Sequence, residues 1–402
     1  MSTQTLLYHG FQLGLVEYIK TEIKSGEIHF TARTPVSKFC CADCRSPDVI
    51  KRGTRTRVFL CPPIGLRTIK LHYIVQRLEC KKCFSIKSEP LSFCRPYKQY
   101  TKAFEKYVLE LSKISTIKDI SKLLKVSWDT VRFIQEEYLK KEVKKIKLSD
   151  VKQIAIDELA IEKGHKYVTV VLNLETGAVL YIGNGKGSDA LIDFWKKIKR
   201  AKAKIEAIAV DMSPAFTYAI KTNCPGAVIV YDHFHVIKKM NDSLSDLRRQ
   251  VQNEANAQGK KTLKGTRWLL LSNIENLSGS KSTNLKTALK LNKPLSVGYY
   301  MKEELRQLWK MHNLEEASEA LELWCKKARE SKVIVLEKMA KLLVKHKEGI
   351  LNYYKYRIST GPIEGFNNKA QTMKRQAYGY RNKEFYKLKL MTLHLKKYAL
   401  TG

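Results

Sequence analysis

Ile-Ala-Ile-Asp at residues 154–157 and Ile-Ala-Val-Asp at residues 208–211 share one pattern: apolar, Ala, β-branched apolar, Asp. Runs of this kind are typical of buried strands, and here each run ends with a carboxylate. A third carboxylate, Glu364, lies in Gly-Pro-Ile-Glu-Gly-Phe-Asn-Asn at residues 361–368, where a helix is expected to begin. Three carboxylates brought together could hold two Mg²⁺ ions, a pair that activates a nucleophile and stabilises the leaving oxygen in phosphodiester chemistry.

Each of these carboxylates also has a purely structural explanation. Asp157 could cap a turn, because Asp favours such positions. Asp211 could cap a helix that has Pro214 just inside its start. Glu364 could be the third helical residue of a capping arrangement behind Gly361. One such role is common, but three together are less expected than a shared site.

Three further polar side chains lie near the predicted strand ends. Glu158 is an adjacent alternative to Asp157, but the alternation of side chains along a strand turns it to the opposite face, so Asp157 is favoured. Asp232 and His235 follow the strand expected at 227–231 and, three residues apart, share a face where a helix begins. Their place at a strand end predicts a role at the edge of the site; the alternative is that the histidine caps or packs.

The charge of the chain predicts a polyanionic partner. Of 402 residues, 74 are Lys or Arg and 39 are Asp or Glu, so the net charge is 74 − 39 = +35. Nucleic acid is the first candidate because neutralising phosphates drives binding. The alternative is that the many lysines only reflect the base composition of the genome and aid solubility. A membrane surface is the rival polyanion, but there is no run of about 18 apolar residues and no signal peptide. We therefore expect a cytoplasmic protein that associates with the nucleoid.

Seven of the nine cysteines fall between Cys40 and Cys94, and they predict a metal site. Without a secretory signal, a disulfide framework is not expected. Two C-x₂-C knuckles, at 41–44 and 80–83, match a tetrahedral structural Zn²⁺ site. The expected ligands are Cys41, Cys44, Cys80 and Cys83. Cys40 is a register alternative to Cys41, Cys61 and Cys94 are not expected to be ligands, and four reduced, unligated cysteines are the alternative to a metal.

Residues 116–138 are predicted to form a helix-turn-helix, for which an ordinary helical hairpin is the alternative. Thr116 and Ser127 are natural N-caps of two short helices. The apolar positions that would form the core are Ile117, Ile120, Leu124, Val126, Val131 and Ile134. The second helix would enter the major groove by its first turn, and the basic residues around the knuckles would also touch DNA. The side chains expected to contact DNA are Arg52, Arg55, Arg57, Lys81, Lys82, Trp128, Thr130 and Arg132.

After the helix-turn-helix the pattern predicts a mixed α/β sheet. Three strands in a meander come first, followed by alternating helices and strands. The expected strands are 151–161, 166–173, 177–183, 205–211 and 227–231, and the expected helices are 188–200, 214–223 and one that begins near 233. A Lys- and Leu-rich helical stretch, 258–350, then interrupts the sheet domain before Glu364, with Trp268, Trp309 and Trp324 as its expected core side chains.

These motifs together resemble those of the DDE transposases of bacterial insertion sequences, most closely the ISL-three family. The resemblance covers nearly the whole chain, from the cysteine knuckles through the helix-turn-helix to Glu364. Its most specific pieces are Ala-Ile-Asp-Glu at 155–158, Val-Asp-Met-Ser at 210–213, Asp-His-Phe-His-Val at 232–236 and Gly-Pro-Ile-Glu-Gly-Phe-Asn-Asn at 361–368.

The resemblance implies an RNase H-like catalytic domain. The family's two catalytic aspartates fall on Asp157 in the first strand and Asp211 after the fourth. Its catalytic glutamate falls on Glu364 in the last helix. The D-x-x-H element of similar transposases falls on Asp232 and His235.

The fold expected is therefore a multidomain α/β protein, in which a zinc ribbon and a helix-turn-helix precede an RNase H-like mixed sheet with a helical insertion. The expected domains are 1–98 with the ribbon, 99–147 with the helix-turn-helix, 148–257 as the first part of the catalytic domain, 258–350 as the insertion, and 351–402 as the last part of the catalytic domain, which carries Glu364.

The function implied is that of a DNA transposase, a polynucleotidyl transferase with a two-metal mechanism. One Mg²⁺ (or Mn²⁺) would be held by Asp157 and Glu364, and a second would share Asp211 at about 3.5–4 Å from the first. Water would cleave a strand at a transposon end, and the freed 3′-hydroxyl would attack target DNA. The ribbon and the helix-turn-helix would recognise the terminal inverted repeats. The side chains expected to hold phosphates are Lys369, Lys374 and Arg375, with the lysines of 196–204.

Because two transposon ends must be joined, a homodimer or a larger assembly on DNA is expected. A structure-selective nuclease of the same RNase H-like class is the second interpretation. A non-catalytic DNA-binding regulator derived from a transposase is the third, and it would need Zn²⁺ but no Mg²⁺ site.

Overall fold

The computed structural model describes residues 3–14, 16–162, 164, 166–255, 263–264, 266–290 and 292–395. The chain divides into two compact units. The N-terminal unit is built from Met1–Lys144 and Gln371–Lys389, and the central unit from Lys145–Ala370 and Leu390–Leu395. The boundaries of the five predicted domains stay predictions. No helix among the described residues is long and apolar enough to span a membrane.

A five-stranded sheet opens the N-terminal unit, after a short helix, α1 (Thr3–Thr5). Its strands are β1 (Glu17–Lys24), β2 (Glu27–Arg33), β3 (Val49–Ile64), β4 (Arg67–Cys80) and β5 (Ile86–Ser88). The order is β1-β2-β4-β3, with β5 paired to β4. The long hairpin of β3 and β4 pairs Val49 with Cys80, so it brings the two cysteine knuckles to the same end of the sheet.

Alternating side chains of β4 build the core of this sheet. Ile69, Leu71, Tyr73 and Val75 are buried, as every second residue of a half-buried strand should be. They pack with Phe59 of β3 in one hydrophobic cluster.

Three helices follow the sheet: α2 (Lys102–Leu111), α3 (Ile117–Leu124) and α4 (Trp128–Lys144). Thr116 caps α3, because its hydroxyl accepts from the Asp119 N–H at 3.2 Å while the Asp119 carboxylate accepts from the Thr116 N–H at 3.4 Å. Lys125, in the left-handed region at φ 53°, ends α3. The Ser127 hydroxyl accepts from the Thr130 N–H at 3.1 Å. The two predicted helices and both predicted caps are therefore confirmed.

The predicted core of this helix pair is also confirmed. Five of the six apolar positions are buried and Val126 is partly buried. They pack in one cluster that also contains Phe104 and Val108 of α2.

A second five-stranded sheet forms the centre of the central unit. Its strands are β6 (Gln153–Glu162), β7 (Lys166–Asn173), β8 (Val179–Asn184), β9 (Ala207–Val210) and β10 (Val228–Tyr231). The order is β10-β9-β6-β7-β8. β6, β7 and β8 form an antiparallel meander, whereas β9 is parallel to β6 and β10 is parallel to β9. The predicted mixed sheet and its five strands are confirmed, with ends shifted by one or two residues.

Helices complete the central unit and then lead to the C-terminal end. They are α5 (Ile192–Ala201), α6 (Pro214–Asn223), α7 (His233–Glu254), α8 (Arg267–Leu271), α9 (Gly279–Lys290), α10 (Lys293–Gln307), α11 (Leu314–Glu330), α12 (Ile334–Lys345), α13 (Lys347–Leu351), α14 (Tyr353–Tyr356), α15 (Gly361–Gln376) and α16 (Lys383–Met391). The described part of 258–350 is mainly helical, as predicted, and its side chains join those of the sheet in one core.

The three tryptophans predicted for this core differ in burial. Trp324 is buried, and its indole N–H donates to the Met301 carbonyl at 2.8 Å. Trp309 is partly buried against the core. The prediction is wrong for Trp268, which is 70% exposed on the five-residue helix α8, beneath the guanidinium of Arg267.

Candidate active site and metal centre

The register of the central sheet brings three aspartates to one level. β6 and β9 pair Gln153 with Ala207, an offset of 207 − 153 = 54, and 157 + 54 = 211 places Asp157 level with Asp211. β9 and β10 pair with an offset of 228 − 207 = 21, and 211 + 21 = 232 places Asp232 on the same level. Asp157 does not end its strand, since β6 continues to Glu162; it is the neighbouring strand β9 that stops there, at Val210.

Asp157 lies at the centre of a group of interacting side chains. One carboxylate oxygen accepts from the Glu158 N–H at 2.7 Å, and the other accepts from the Asn367 side-chain amide at 3.0 Å. Burial raises the pKa of Asp157, and the charge of Asp211 raises it further, against the opposing effects of the Glu158 N–H, His235 and Asn367. Residues from β6, β9, α7 and α15 therefore meet at this carboxylate.

Asp211 follows β9 directly and is partly buried. One of its oxygens accepts from the Ser213 N–H at 3.1 Å, which shapes the turn into α6. Ser213 occupies the N-cap position of α6 and Pro214 the first helical position, so Asp211 does not itself cap the helix.

Glu158 also interacts with the site, although strand alternation predicts that it faces away. It is partly buried, and its pKa is raised by burial first and then by the charge of Asp211, while Lys186 lowers it. Alternation alone therefore does not separate Glu158 from Asp211, and Glu158 stays an alternative acidic residue of the site.

Glu364 lies in the first turn of α15 and is exposed. Its backbone N–H donates to the Thr360 carbonyl at 3.0 Å, and across the described part of the chain its carboxylate has no hydrogen bond or ion pair. A glutamate that capped behind Gly361 would accept from the Gly361 N–H, but that N–H donates to the Ser359 hydroxyl at 3.3 Å, and the preceding Thr360 N–H donates to an Asp232 oxygen at 3.3 Å. The capping explanation of Glu364 therefore does not describe this helix. Glu364 is three residues before Asn367, which places the two side chains on one face.

Asp232 fastens the approach to α15 to the end of β10. Its side chain is 1% exposed and lies 3.4 Å from the His233 imidazole, besides accepting from Thr360. Burial acts to raise the pKa of Asp232, but the contacts with His233 and Thr360 outweigh it, so the pKa lies below its ordinary value. Its second oxygen is buried and has no hydrogen-bond partner among the described residues. Asp232 thus holds the helix that carries Glu364.

The three predicted catalytic carboxylates are not drawn into one tight cluster. Within the described ranges, the one group of three or more Cys, His, Asp or Glu ligand atoms that all lie within 4.8 Å of one another consists of cysteines. The charge of Asp211 raises the pKa of Asp157. Glu364 lies about one helical turn before Asn367, whose side-chain amide donates to Asp157. Two ions about 3.5–4 Å apart do not require all three carboxylates to touch, because each ion needs only some of them.

The cysteine group consists of Cys41, Cys44, Cys80 and Cys83. The sulfurs of Cys41 and Cys83 lie 3.5 Å apart, and those of Cys44 and Cys80 lie 3.4 Å apart. Cys41 belongs to this group and Cys40 does not, which favours Cys41 over Cys40 as the predicted ligand. Four thiolates at such distances can hold a metal ion.

Electrostatics within the group favours a bound cation. The backbone N–H groups of Cys44 and Asp43 lower the pKa of Cys41 to about 6. For Cys83 the Ser85 N–H acts to lower the pKa, but the sulfurs of Cys41 and Cys44 raise it to about 12. The group therefore resists holding all four negative charges by itself, and a cation would remove that repulsion.

Comparisons with known proteins agree with this arrangement. Residues 154–390 match the DDE sequence model of family ISL3, described as a transposase, and residues 89–138 match the helix-turn-helix domain of transposase family ISL3. The transposase for insertion sequence element IS1001 of Bordetella parapertussis is 30% identical over 389 residues, which cover 95% of each chain. The chain belongs to the ISL3 family of transposases. The predicted resemblance is therefore confirmed.

Two further matches to this ISL3 transposase are weaker. The transposase for insertion sequence element IS1557 of Mycobacterium tuberculosis is 26% identical over 315 residues, 72% of this chain and 71% of the relative. Among solved structures, the Drosophila P element transposase strand transfer complex matches 74% of this chain and 93% of its own, with 10% identity and a TM-score of 0.39. That structural likeness is too weak to support a conclusion.

The residues predicted to bind DNA around the knuckles of the ISL3 transposase differ in availability. Arg55 and Lys82 are exposed. Arg52 and Lys81 each have a carboxylate partner in the same unit. Arg57 turns inward, and its guanidinium donates to the Lys98 carbonyl at 2.9 Å. Which of them contact DNA stays a prediction.

The residues predicted at the start of α4 show the same division. Trp128 is 47% exposed, and the Arg132 guanidinium lies 5.8 Å from its ring centroid while pairing with Asp129 and Glu136. The Thr130 hydroxyl is hydrogen-bonded to the Ser127 hydroxyl.

The C-terminal residues predicted to hold phosphates lie on α15 and are exposed or partly exposed: Lys369, Lys374 and Arg375.

Asn367 is the site residue that sequence reasoning missed. It donates to Asp157, and its own amide oxygen is buried with no partner in the described residues. The signal was present in the stretch 361–368, because Asn367 lies one helical turn after Glu364 and so on the same face.

Proposed function

We propose that this ISL3 transposase binds the terminal inverted repeats of its element and catalyses metal-dependent DNA strand cleavage and strand transfer in an RNase H-like catalytic domain. Asp157, Asp211 and Glu364 would be its catalytic residues. The observation that supports this most is the strand register that sets Asp157 beside Asp211, with α15 held to Asp157 through Asn367.

The donors at this site fit divalent cations. Burial first, and then the charge of Asp211, raise the pKa of Asp157, and a bound cation would oppose both effects. The Asn367 amide oxygen is a buried acceptor without a partner among the described residues, and oxygen ligands are what Mg²⁺ prefers. Asp157, Asp211 and Glu364 would hold two Mg²⁺ or Mn²⁺ ions. When bound, the pair supplies activation of the attacking oxygen and stabilisation of the leaving oxygen.

The protein's own contribution is to fix the positions of these donors. Asp157 and Asp211 are set by adjacent strands, which are among the most rigid parts of a fold. Asp232 anchors the segment before α15 through the Thr360 N–H, and so sets the approach of Glu364. His235, close enough to lower the pKa of Asp157, favours the ionised carboxylate that a cation needs.

DNA binding would belong mainly to the N-terminal unit. The four-cysteine group would hold Zn²⁺ and stiffen the end of the β3–β4 hairpin. The helix-turn-helix would place the first turn of α4 in the major groove of the end repeats. A net charge of +35 supports binding of both end and target DNA, and a homodimer or larger assembly would join the two ends.

The test is a cleavage and joining assay with the purified full chain. Duplexes carrying the ends of its own element are incubated with supercoiled target DNA and Mg²⁺, and cut and joined strands are mapped. Asp157→Asn should abolish cleavage, while end binding measured by fluorescence anisotropy survives. Cleavage by this variant in Mg²⁺ would refute the site.

The products also separate the other interpretations. Cleavage without joining would indicate a structure-selective nuclease, and end binding without any cleavage by the unaltered chain would indicate a regulator.

A further inference from the structure

The N-terminal unit contains a groove whose lining includes three of the predicted DNA contacts, Arg57, Thr130 and Arg132, together with residues that were not predicted to contact DNA. It is an open groove of about 850 Å³ between the β3–β4 hairpin, the loop before α2 and the first turn of α4. Its volume is in the range of sites that enclose an organic molecule, whereas a phosphate contact on a duplex needs only a surface.

One wall of this groove is a turn in an uncommon conformation. The Lys98 N–H closes the turn by donating to the Arg95 carbonyl at 3.2 Å, with Pro96 and Tyr97 between them. Tyr97 has φ 63° and is 96% exposed. A turn with Pro second and a positive φ third normally has Gly or Asn there, so a bulky aromatic at this position is strained. Strain of this kind is concentrated at functional sites.

The loop that carries Tyr97 is fastened to β3. The Arg57 guanidinium donates to the Lys98 carbonyl at 2.9 Å, and the Leu60 N–H donates to the Gln99 carbonyl at 2.9 Å. The Leu60 carbonyl accepts in turn from the Thr101 N–H at 2.9 Å. Tyr97 is thus presented to solvent on a fixed support, which lowers the entropy that a stacking contact would lose.

The lining of the groove combines positive charge with aromatic rings. Its charged members are four cations, Arg57, Lys70, Lys98 and Arg132, and one carboxylate, Asp129. Its aromatic members are Tyr97, Tyr100 and Phe133. Lys98 lies 3.6 Å from the centroid of the Phe133 ring, so cationic and aromatic groups are interleaved. This is the combination by which proteins hold single-stranded nucleic acid, with the backbone in a basic groove and bases on aromatic faces.

We propose that this groove binds a short unpaired stretch of DNA, with Tyr97 stacking on a base and Lys98 contacting a phosphate. The proposal rests on the proposed DNA-binding function and adds a substrate class to it: besides duplex repeats, the N-terminal unit takes nucleotides that have left the double helix. A base in the interior of a duplex cannot stack on Tyr97, because both of its faces are covered by its neighbours in the stack.

The experiment measures Kd for two fluorescent probes with the full chain: single-stranded dT20 and a blunt duplex of the element's end. Tyr97→Ala should weaken dT20 binding by about tenfold, within the range that one stacked base provides, and leave duplex binding unchanged. Tyr97→Phe should keep the wild-type Kd. Tyr97→Gly, which removes both the ring and the strain at positive φ, should lose as much as Tyr97→Ala, so that stacking is separated from loop geometry.

The matched control is Tyr378→Ala. Tyr378 is fully exposed and has φ 53°, yet it lies outside the groove lining, so its removal should leave both Kd values unchanged. Salt provides a second control. Tyr97→Ala should leave the slope of log Kd against log salt unaltered, whereas Lys98→Ala should reduce it by about 0.7, the value for one phosphate of a single strand.

The outcomes are distinct. Equal weakening of dT20 and duplex binding by Tyr97→Ala would overturn the proposal, because Tyr97 would then be a duplex contact. If the unaltered chain binds the duplex and Tyr97→Ala leaves the Kd for dT20 unchanged, the proposal that this groove binds unpaired DNA is overturned, whereas the proposed transposase function is not. Failure of the unaltered chain to bind either probe would overturn both.

Discussion

The four-cysteine group and the carboxylate site are both candidate metal sites, but the chain assembles them differently. Each knuckle is closed by the same local hydrogen bond: the Cys41 N–H donates to the Ser46 carbonyl at 2.9 Å and the Cys80 N–H to the Ser85 carbonyl at 3.0 Å. The hairpin then sets the two knuckles side by side, and all four sulfurs lie within 4.8 Å of one another.

The carboxylate site has no such local unit. Asp211 is 211 − 157 = 54 residues after Asp157, and Glu364 is 364 − 211 = 153 residues after Asp211. Sheet register aligns the two aspartates, and a long-range contact from Asp232 to Thr360 fixes the approach of the third residue. The difference teaches that the cysteine group depends on two short segments, whereas the carboxylate site depends on the whole central unit.

Breaking the cysteine group should have the largest effect of any single change. Cys80→Ser removes a ligand from the proposed Zn²⁺ site, and structural zinc contributes about 10–16 kcal/mol in zinc-finger peptides. We expect loss of stoichiometric zinc, measured by elemental mass spectrometry, and loss of end-DNA binding. Cys40→Ser is the matched control, because Cys40 adjoins the first knuckle but lies outside the group. Full zinc content in Cys80→Ser would contradict the assignment.

The next largest effect should come from a change at Asp157, whose carboxylate interacts with Asp211 and Asn367. Asp157→Asn should abolish detectable cleavage, a loss of at least about a thousandfold, or about 4 kcal/mol of activation free energy. Glu158→Gln should lower the cleavage rate by less than about tenfold, if Asp157 is the ligand and Glu158 only a neighbour. Single-turnover cleavage rates in Mg²⁺ decide between them. The reverse order would transfer the catalytic role to Glu158, which the structure also couples to Asp211.

The sequence could predict the features of this structure that depend on short segments of the chain. The knuckle spacing predicted the four cysteines whose sulfurs the structure brings together, because each pair lies within one short segment. The caps Thr116 and Ser127 were also readable, since capping depends on residues three apart. Runs of apolar residues, many of them β-branched, predicted the five strands of the central sheet, because strands such as β7 and β9 are buried along most or all of their length.

Features that depend on contacts between distant segments could not be predicted from the sequence in the same way. Strand alternation predicts that Glu158 faces away, but sequence does not show how close the neighbouring strand's Asp211 comes. Trp268 was expected in the core, whereas on α8 the buried side chain is Leu270 and Trp268 is exposed. The role of Asn367 depends on where α15 docks, which is a tertiary property.

The Asn367 contact offers a milder way to disturb the carboxylate site. Asn367→Ala removes the amide that donates to Asp157, and such supporting groups typically contribute about 10–100-fold in metal affinity or activity. Because this hydrogen bond lowers the pKa of Asp157, its loss should raise that pKa further and move the acid limb of the pH–rate profile to higher pH. Cleavage rates at varied Mg²⁺ and pH measure both. Asn368→Ala, at the next and exposed position of α15, is the control.

The long-range anchor should be measurable as stability. Asp232→Ala leaves the buried Thr360 N–H without its acceptor, at a cost of about 1–3 kcal/mol in the free energy of unfolding. The folded pKa of Asp232 is depressed, so its contribution is present above the unfolded value of about 3.9 and is lost as pH falls through the folded value. Denaturant unfolding should therefore show a difference from the unaltered chain at pH 7 that shrinks in strong acid. Asp242→Asn, exposed on α7, should show none. An equal loss in both variants would contradict the anchor.

The smallest expected effect lies back in the N-terminal unit, where one local cap can be removed without touching either metal site. Thr116→Ala deletes the hydroxyl that accepts from the Asp119 N–H and should reduce the free energy of unfolding by about 1 kcal/mol. Asp119→Ala removes the other half of the box, and the double variant should lose less than the two single losses added, because the two side chains act on each other. Strict additivity in urea unfolding would show that the box does not act as a unit. Thr116 and Asp119 would then stabilise α3 independently of each other, and the contrast with Asp232 would be one of sequence separation, because Asp232 accepts from a backbone N–H 128 residues away.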